Sequence, residues 1–334
     1  MINIGLVGVG AVGRVHLSIY AELENARVVA LCDKIPERAK GSEEGIAFNI
    51  GTVAGSTVQA RAYTNYRRFL NDPDIEVVDI CLPTDLHSRF AVAALEAGKH
   101  VLCEKPMARS VAQCDRMIAA AEASGRALMV AHCIRFWPEY VVLKEMVDSG
   151  KYGKVTSAVF RRLSLLPIWS SENWIITPKR SGGALLDLHV HDIDFIAHLF
   201  GMPAWVASSG IEDEHGVGEV VTQYGYPGQT VVAEGGWYYP ASFPFRMNFV
   251  VRMERATAEW DSRGGPLTVY PEGGDALTPD LPPGNGYTRE IAYFLDCVSR
   301  GSKPEVVTPR DARESVRIAL AEARSIRSGR RVTL

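Results

Sequence analysis

The sequence predicts a doubly wound, parallel α/β domain followed by an α+β domain built on an open, mostly antiparallel sheet. Three observations carry this. Continuous apolar runs alternate with helical patterns over the first 133 residues, as in a parallel sheet covered on both faces. From Pro138 onward the runs alternate apolar with polar residues, the pattern of strands with one solvated face. At the start, between an apolar run and an amphipathic segment, lies the turn Gly8-Val-Gly-Ala-Val-Gly13.

A chain of 334 residues fits two domains, read here as 1–133, binding a dinucleotide, and 134–334, binding substrate and mediating oligomerisation. Composition is ordinary for a globular protein, with 47% hydrophobic and 22% charged residues. A net charge of −3 provides no basic footprint, so neither nucleic acid nor a membrane surface is an expected partner. The first strand begins at Ile2, leaving no room for a signal peptide, and no apolar run is long enough to span a bilayer; the expected location is the cytoplasm. Six cysteines occur without C-x-x-C spacing, and Cys32, Cys81, Cys103 and Cys133 fall at strand ends, as buried thiols in a reducing compartment would.

The elements follow in order. Val12, Val15, Ile19 and Leu23 take helical spacing after the glycine turn, and Arg27 to Cys32 is a β-branched run ending at Asp33. A polar segment to Gly55 is read as helical over Pro36 to Phe48. Glu76 to Leu82 is a continuous apolar run. Phe90, Ala94 and Leu95 mark a helix ending at Gly98, and His100 to Cys103 is the next strand. Ser110-Val-Ala-Gln113 has capping-box spacing for a helix to Ser124, and Ala127 to His132 is a further strand. A helix runs from Pro138 to Ser149. Half-covered strands are expected at Val155 to Arg161, Ala204 to Ser208, Glu219 to Tyr224, Thr230 to Trp237, Arg246 to Met253 and Ala256 to Trp260. Arg263 to Gly286, rich in Gly and Pro, reads as surface loop, and helices at Thr288 to Ser299 and Pro309 to Ser328 close the chain.

Three groups carry chemistry. Gly8, Gly10 and Gly13 match the G-x-G-x-x-G dinucleotide fingerprint of a Rossmann domain, so Gly8, Gly10, Ala11, Val12 and Gly13 would cradle a pyrophosphate at a helix N-terminus. Asp33, about twenty residues on, stands where a carboxylate reads the ribose hydroxyls and repels a phosphate, which favours NAD over NADP; Lys34 beside it pulls the other way. Leu82, Pro83, Thr84 and His87 follow one apolar strand and Glu104-Lys105-Pro106 the next, at the strand ends where this fold binds its ligand. Finally, Ser181-Gly-Gly-Ala-Leu-Leu-Asp-Leu-His-Val-His-Asp-Ile-Asp194 opens a helix with Asp187 and His191 one turn apart, a carboxylate beside an imidazole, suited to proton transfer near neutral pH. The pair His189 and His191 invites a zinc reading, but two residues apart on a helix they point to different faces, and no metal is expected.

Together and in this order these residues resemble the Gfo/Idh/MocA family of sugar and cyclitol oxidoreductases, over essentially the whole chain. The most specific marks are Glu104-Lys105-Pro106 after Gly-Lys-His-Val and Gly182-Gly-Ala-Leu-Leu-Asp-x-x-x-His191; Ser302-Lys-Pro with Asp311-Ala312 is also similar to the family's end. The resemblance implies that Lys105, Asp187 and His191 surround the nicotinamide. His189 stands where many members have glycine, which bears on the substrate subgroup. The expected activity is an NAD(P)-dependent oxidation of a secondary alcohol of a sugar or cyclitol, inositol 2-dehydrogenase-like. His191 would be the general base, Lys105 the alkoxide stabiliser and Asp187 the orienting group. His132, Arg161, Arg162, Trp169 and Trp174 are candidate substrate contacts, since an indole stacks on a sugar face and the others hydrogen-bond hydroxyls. A homodimer or homotetramer through the open sheet is expected. The alternatives are a non-catalytic NAD(P)-binding sensor of the same fold and a metal-dependent hydrolase built on the His-x-His stretch.

Overall fold

In the computed structural model the chain opens with β1 (Ile2–Val7), α1 (Ala11–Glu22), β2 (Ala26–Cys32) and a single turn, α2 (Pro36–Ala39). The short strands β3 (Ile46–Phe48) and β4 (Gly51–Val53) pair with each other. Then come β5 (Arg61–Tyr63), α3 (Tyr66–Leu70), β6 (Val77–Ile80), α4 (Thr84–Glu96), β7 (His100–Glu104), α5 (Val111–Ser124) and β8 (Leu128–Ala131). The structure describes residues 1–41, 46–48, 51–53 and 58–334. Two compact units result: Met1–Cys133 with Tyr287–Arg313, and Ile134–Gly286 with Glu314–Leu334. The chain passes between the two units at 133/134, 286/287 and 313/314.

Six strands of the first unit form a parallel sheet in the order β5-β2-β1-β6-β7-β8. Its core is aliphatic, with Ile4, Leu6, Val77, Val78, Ile80, Val101 and Leu102 all fully buried. The order reverses between β1 and β6, and this switch point is where a doubly wound sheet leaves a crevice beyond the carboxyl ends of its strands. Ser110 caps α5 as its spacing predicts, accepting from the Gln113 amide.

The second unit contains α6 (Pro138–Asp148), β9 (Val155–Leu165), α7 (Pro178–Ser181), a π turn at Leu185–His189 and α8 (Val190–Phe200). Next are β10 (Trp205–Asp213), β11 (Gly216–Tyr226), β12 (Gln229–Tyr239), β13 (Arg246–Met253), β14 (Ala256–Asp261) and β15 (Thr268–Pro271). The helix α9 (Gly286–Arg300) belongs to the first unit from Tyr287; α10 (Pro309–Ser328) and β16 (Val332–Thr333) end the chain. An eight-stranded sheet, β15-β14-β13-β9-β12-β11-β10-β16, is antiparallel except between β9 and β12. Under it Tyr140 meets Phe195, Phe249 and Trp260 edge-on, with ring centroids 4.7, 5.1 and 5.7 Å away. Edge-to-face pairs add about 0.5–1.5 kcal/mol each beyond area burial.

Two readings of the sequence need correction here. The helix expected over Pro36 to Phe48 stops after Ala39, where Gly41 takes φ +80°, and Ile46–Phe48 is a strand; residues 42–45 lie outside the described residues, as do 54–57 before and beyond Gly55. The loop expected over Arg263 to Gly286 contains the four-residue strand β15, whose β-branched and aromatic residues Thr268, Val269 and Tyr270 pair with β14.

Candidate active site

In the first unit the glycine turn links β1 to α1 at the switch point. Gly8 has φ +94° and lies so close to the chain leaving β6 that a Cβ there would collide with the Cys81 carbonyl; a Cβ on Gly13 would collide with the Gly8 carbonyl. Gly10 is different: a Cβ would meet nothing within 4 Å, and as the N-cap of α1 it presents no side chain to the helix's first amides. An open, uncapped helix N-terminus fits a pyrophosphate. Ala11 and Val12 form the first turn of that helix. Asp33, at the end of β2 and 8% exposed, accepts from the Val9 amide at 2.9 Å through Oδ2 and from the Ile35 amide at 2.9 Å through Oδ1. Its carboxylate thus braces the glycine turn, and each oxygen keeps a second lone pair for a ribose hydroxyl.

Leu82, Pro83 and Thr84 lead from β6 into α4, with Thr84 buried. His87, one turn further on, does not face the crevice: it is 1% exposed, with Nδ1 2.8 Å from Pro106 O and Nε2 2.8 Å from Leu82 O. It ties the two loops together, and burial pushes its proton affinity below an ordinary histidine's, against the pull of both carbonyls. Glu104 ends β7 buried, and its Oε2 accepts the Lys105 amide at 3.1 Å; Lys105 itself is half-buried. His132 follows β8 and is also buried.

In the second unit Asp187 sits within the π turn Leu185–His189 and His191 in the first turn of α8, both half-buried. Bonds of the i→i+5 kind replace the α-helical spacing read from the sequence, and such bulges recur at functional sites. His189 faces elsewhere: fully buried, its Nε2 lies 3.3 Å from the Tyr224 hydroxyl and 3.4 Å from Glu322 Oε2. It packs inside the second unit, whereas His191 is half-buried. Leu166 and Ile175 pack on Ala184, Leu188 and Trp237, so the loop carrying the exposed Trp169 and half-buried Trp174 lies against the start of the segment that bears Asp187.

The two arginines of β9 part company. Arg162 is 2% exposed and grips Asp192 with two hydrogen bonds, of 2.8 and 3.0 Å; reading it as a substrate contact is corrected, because both carboxylate oxygens hold its fork. Arg161, the next residue on a strand, points to the opposite face, away from α8, and pairs with Glu234 at 2.9 Å. The structure therefore does not gather Arg161 with Asp187 and His191. Sequence reasoning also missed a buried cluster under Lys105, comprising His16, Asp79, Glu104 and Glu290. Asp79 was its legible signal, a charge inside the apolar run Val77-Val-Asp-Ile80.

The oxidoreductase-family model with an NAD-binding Rossmann fold matches residues 2–132, and the GFO/IDH/MocA C-terminal domain matches residues 140–259. The chain belongs to the Gfo/Idh/MocA family. An inositol 2-dehydrogenase of Salmonella typhimurium is 37% identical over 152 residues, 45% of this chain and 42% of that protein, so the chain spans less than half the length of that relative. An inositol 2-dehydrogenase of Rhizobium meliloti is 26% identical over 363 aligned positions, covering 100% of this chain and 99% of the relative. Among solved structures, an aldose-aldose oxidoreductase from Caulobacter crescentus complexed with glycerol superposes with a TM-score of 0.83 at 25% identity, covering 100% of this chain and 99% of that one. No helix among the described residues is long and apolar enough to cross a membrane.

Proposed function

We propose that the protein is an NAD-dependent dehydrogenase that oxidises a secondary alcohol of a sugar or cyclitol. The observation that carries this is the set of strand ends at one switch point: an uncapped glycine turn after β1, Asp33 after β2 and Lys105 after β7. Relatives named inositol 2-dehydrogenase support the substrate class. Asp33 favours the free ribose of NAD over the phosphate of NADP.

When bound, the nicotinamide supplies the hydride acceptor. The chain's own residues do the rest: His191 takes the hydroxyl proton, the Lys105 ammonium holds the developing alkoxide, and Asp187 orients the substrate. The open face of the second unit's sheet exposes Ile211, Val221, Val250 and Tyr270, and we read it as the contact between copies of a homo-oligomer; a monomer by light scattering at micromolar concentration would overturn that.

Reduced nicotinamide formation across inositols, hexoses and their acid and amino derivatives, with NAD and NADP in parallel, tests the activity. Turnover with at least one polyol, faster with NAD, is expected. Cofactor binding without turnover over the whole panel would instead mark a sensor. His191→Ala should lower kcat by about 10²–10⁴-fold with cofactor affinity kept, the loss expected of a general base.

A further inference from the structure

Directly beneath the Glu104–Lys105 segment the first unit buries more ionisable groups than its charge balance allows to be ionised. His16, on α1, points Nδ1 at Asp79 Oδ2 at 2.8 Å, and the Tyr20 hydroxyl donates to the same oxygen at 2.9 Å. The other ring nitrogen, Nε2, lies 3.2 Å from Glu104 Oε1, close but off-line, so charge rather than an aligned hydrogen bond holds that contact. Glu290 reaches the cluster from α9: ligand atoms of His16, Glu104 and Glu290 all lie within 4.8 Å of one another. Glu290 is fully buried, and neither of its oxygens has a hydrogen-bond partner.

Three carboxyl groups around one imidazole cannot all be charged in a dry interior. Two have donors: Asp79 has the ring and Tyr20, and Glu104 has the Lys105 amide, with the ring's charge 3.2 Å from its other oxygen. Glu290 has none, so the desolvation cost of ionisation falls on it undiluted. We propose that Glu104 is a positioning residue for Lys105, a carboxylate kept charged by His16, and that Glu290 is the neutral, protonated member of the cluster. The proposal rests on the reading of Lys105 as the alkoxide-stabilising group. Glu104 fixes the Lys105 backbone by a hydrogen bond, and with it the point from which the neighbouring side chain starts.

The other groups that face the cluster agree with this assignment. Cys81 and Asp79 face it from β6 and its end, Tyr20 from α1, and His87 from α4. Burial and the Glu104 charge push the Glu290 carboxyl well up. Against burial, His16 and then Lys105 and His87 hold Glu104 below the ordinary range, and against burial Asp79 holds His16 above it.

Isosteric amides separate the two glutamates. Glu290→Gln replaces a neutral carboxyl with a neutral amide and should leave kcat, KM and cofactor affinity at wild-type values. Glu104→Gln should lower kcat by about 10²-fold with KM little changed, a misplacement-sized loss. The reverse pattern, or equal damage from both variants, would overturn the proposal, as would a stoichiometric metal ion in the purified protein, since it would take the same three side chains as ligands. Two readouts need no substrate. An infrared band of a buried protonated carboxyl should be present in the wild type and lost in Glu290→Gln, and its absence from the wild type overturns the proposal even if Glu104→Gln does not fold. Thermal stability against pH supplies the second. A carboxyl with a raised folded pKa contributes stability below its unfolded value of about 4.3, and this is lost as pH rises through the folded value. Glu290→Gln should remove that decline. These two results decide the protonation even if no polyol is turned over, which separates failure here from failure of the proposed activity.

Discussion

Each unit buries charge next to its chemistry-bearing residues, but the two use different chemistry. In the second unit Arg162 grips Asp192, and Arg135 grips Asp194 at 2.7 and 2.8 Å; Ser315 adds a third bond to Asp194 at 2.9 Å. Asp192 and Asp194 lie one and three residues after His191 along the chain, and the paired side chains are at most 3% exposed. In the first unit an imidazole and carboxyl groups hold the segment of Lys105. Guanidinium does not deprotonate in proteins, so the support beside His191 is indifferent to pH over the ordinary range. The support under Lys105 titrates. A scaffold of fixed charge holds the proposed base while a scaffold of exchangeable protons holds the proposed cation.

The largest expected effect breaks the fixed-charge side. Arg162→Met leaves Asp192 charged and buried without its partner, a change that typically costs about 3–5 kcal/mol. The double variant Arg162→Met/Asp192→Leu should recover most of the loss, because replacing both partners by apolar groups removes the desolvation penalty with the pair. Urea unfolding reads both variants. If the double variant is no more stable than the single, the loss comes from packing of the long arginine stem, and the description of the second unit as charge-supported fails.

A smaller effect sharpens the contrast through pH. His16 has a folded proton affinity above the unfolded value of about 6.5. Its contribution is therefore fully present below that value and is lost as pH rises through the folded one. Hydrogen exchange on amides of β1, β6 and β7, corrected for intrinsic base catalysis, should show protection falling on the alkaline side while β9 and β12 keep theirs. Parallel loss in both sheets would mean that the two supports do not differ in the way their side chains imply.

Much of this molecule can be read without coordinates, and what cannot has identifiable causes. The strand Arg246–Met253 is found at its predicted bounds because strict alternation marks both its ends, and Ser110 announces α5 because a cap is a local contact. The strands around β9 to β12 run longer than the pattern suggested, since hairpin partners extend pairing through residues that carry no apolar signal, such as Ser209, Gly210, Glu212 and Asp213. The π turn at Leu185–His189 is invisible in composition; it is a change of hydrogen-bond register, not of residue type. Glycine fingerprint, Glu-Lys-Pro segment and the Asp187 and His191 pair stood out because each is contiguous. The buried cluster did not, because His16, Asp79, Glu104 and Glu290 come from four elements and only the fold collects them.

The smallest expected effect lies one residue from the largest. Arg161 and Arg162 are the same residue type on the same strand, and the sequence reading treated them alike. A strand sends successive side chains to opposite faces, so one is buried under α8 and the other is 46% exposed on the far side beside Glu234, itself 28% exposed. An exposed ion pair of this kind is worth about 0–1 kcal/mol, since water screens the attraction and two long side chains must be ordered to make it. Arg161→Ala should therefore shift the urea midpoint by a small fraction of the Arg162→Met change. It should also leave kcat and KM for the best polyol near wild type, because the side chain faces away from the helix that carries His191. A large rise in KM for Arg161→Ala would mean that the open face of the sheet takes part in substrate binding, and the separation of structural from functional faces in the second unit would have to be redrawn.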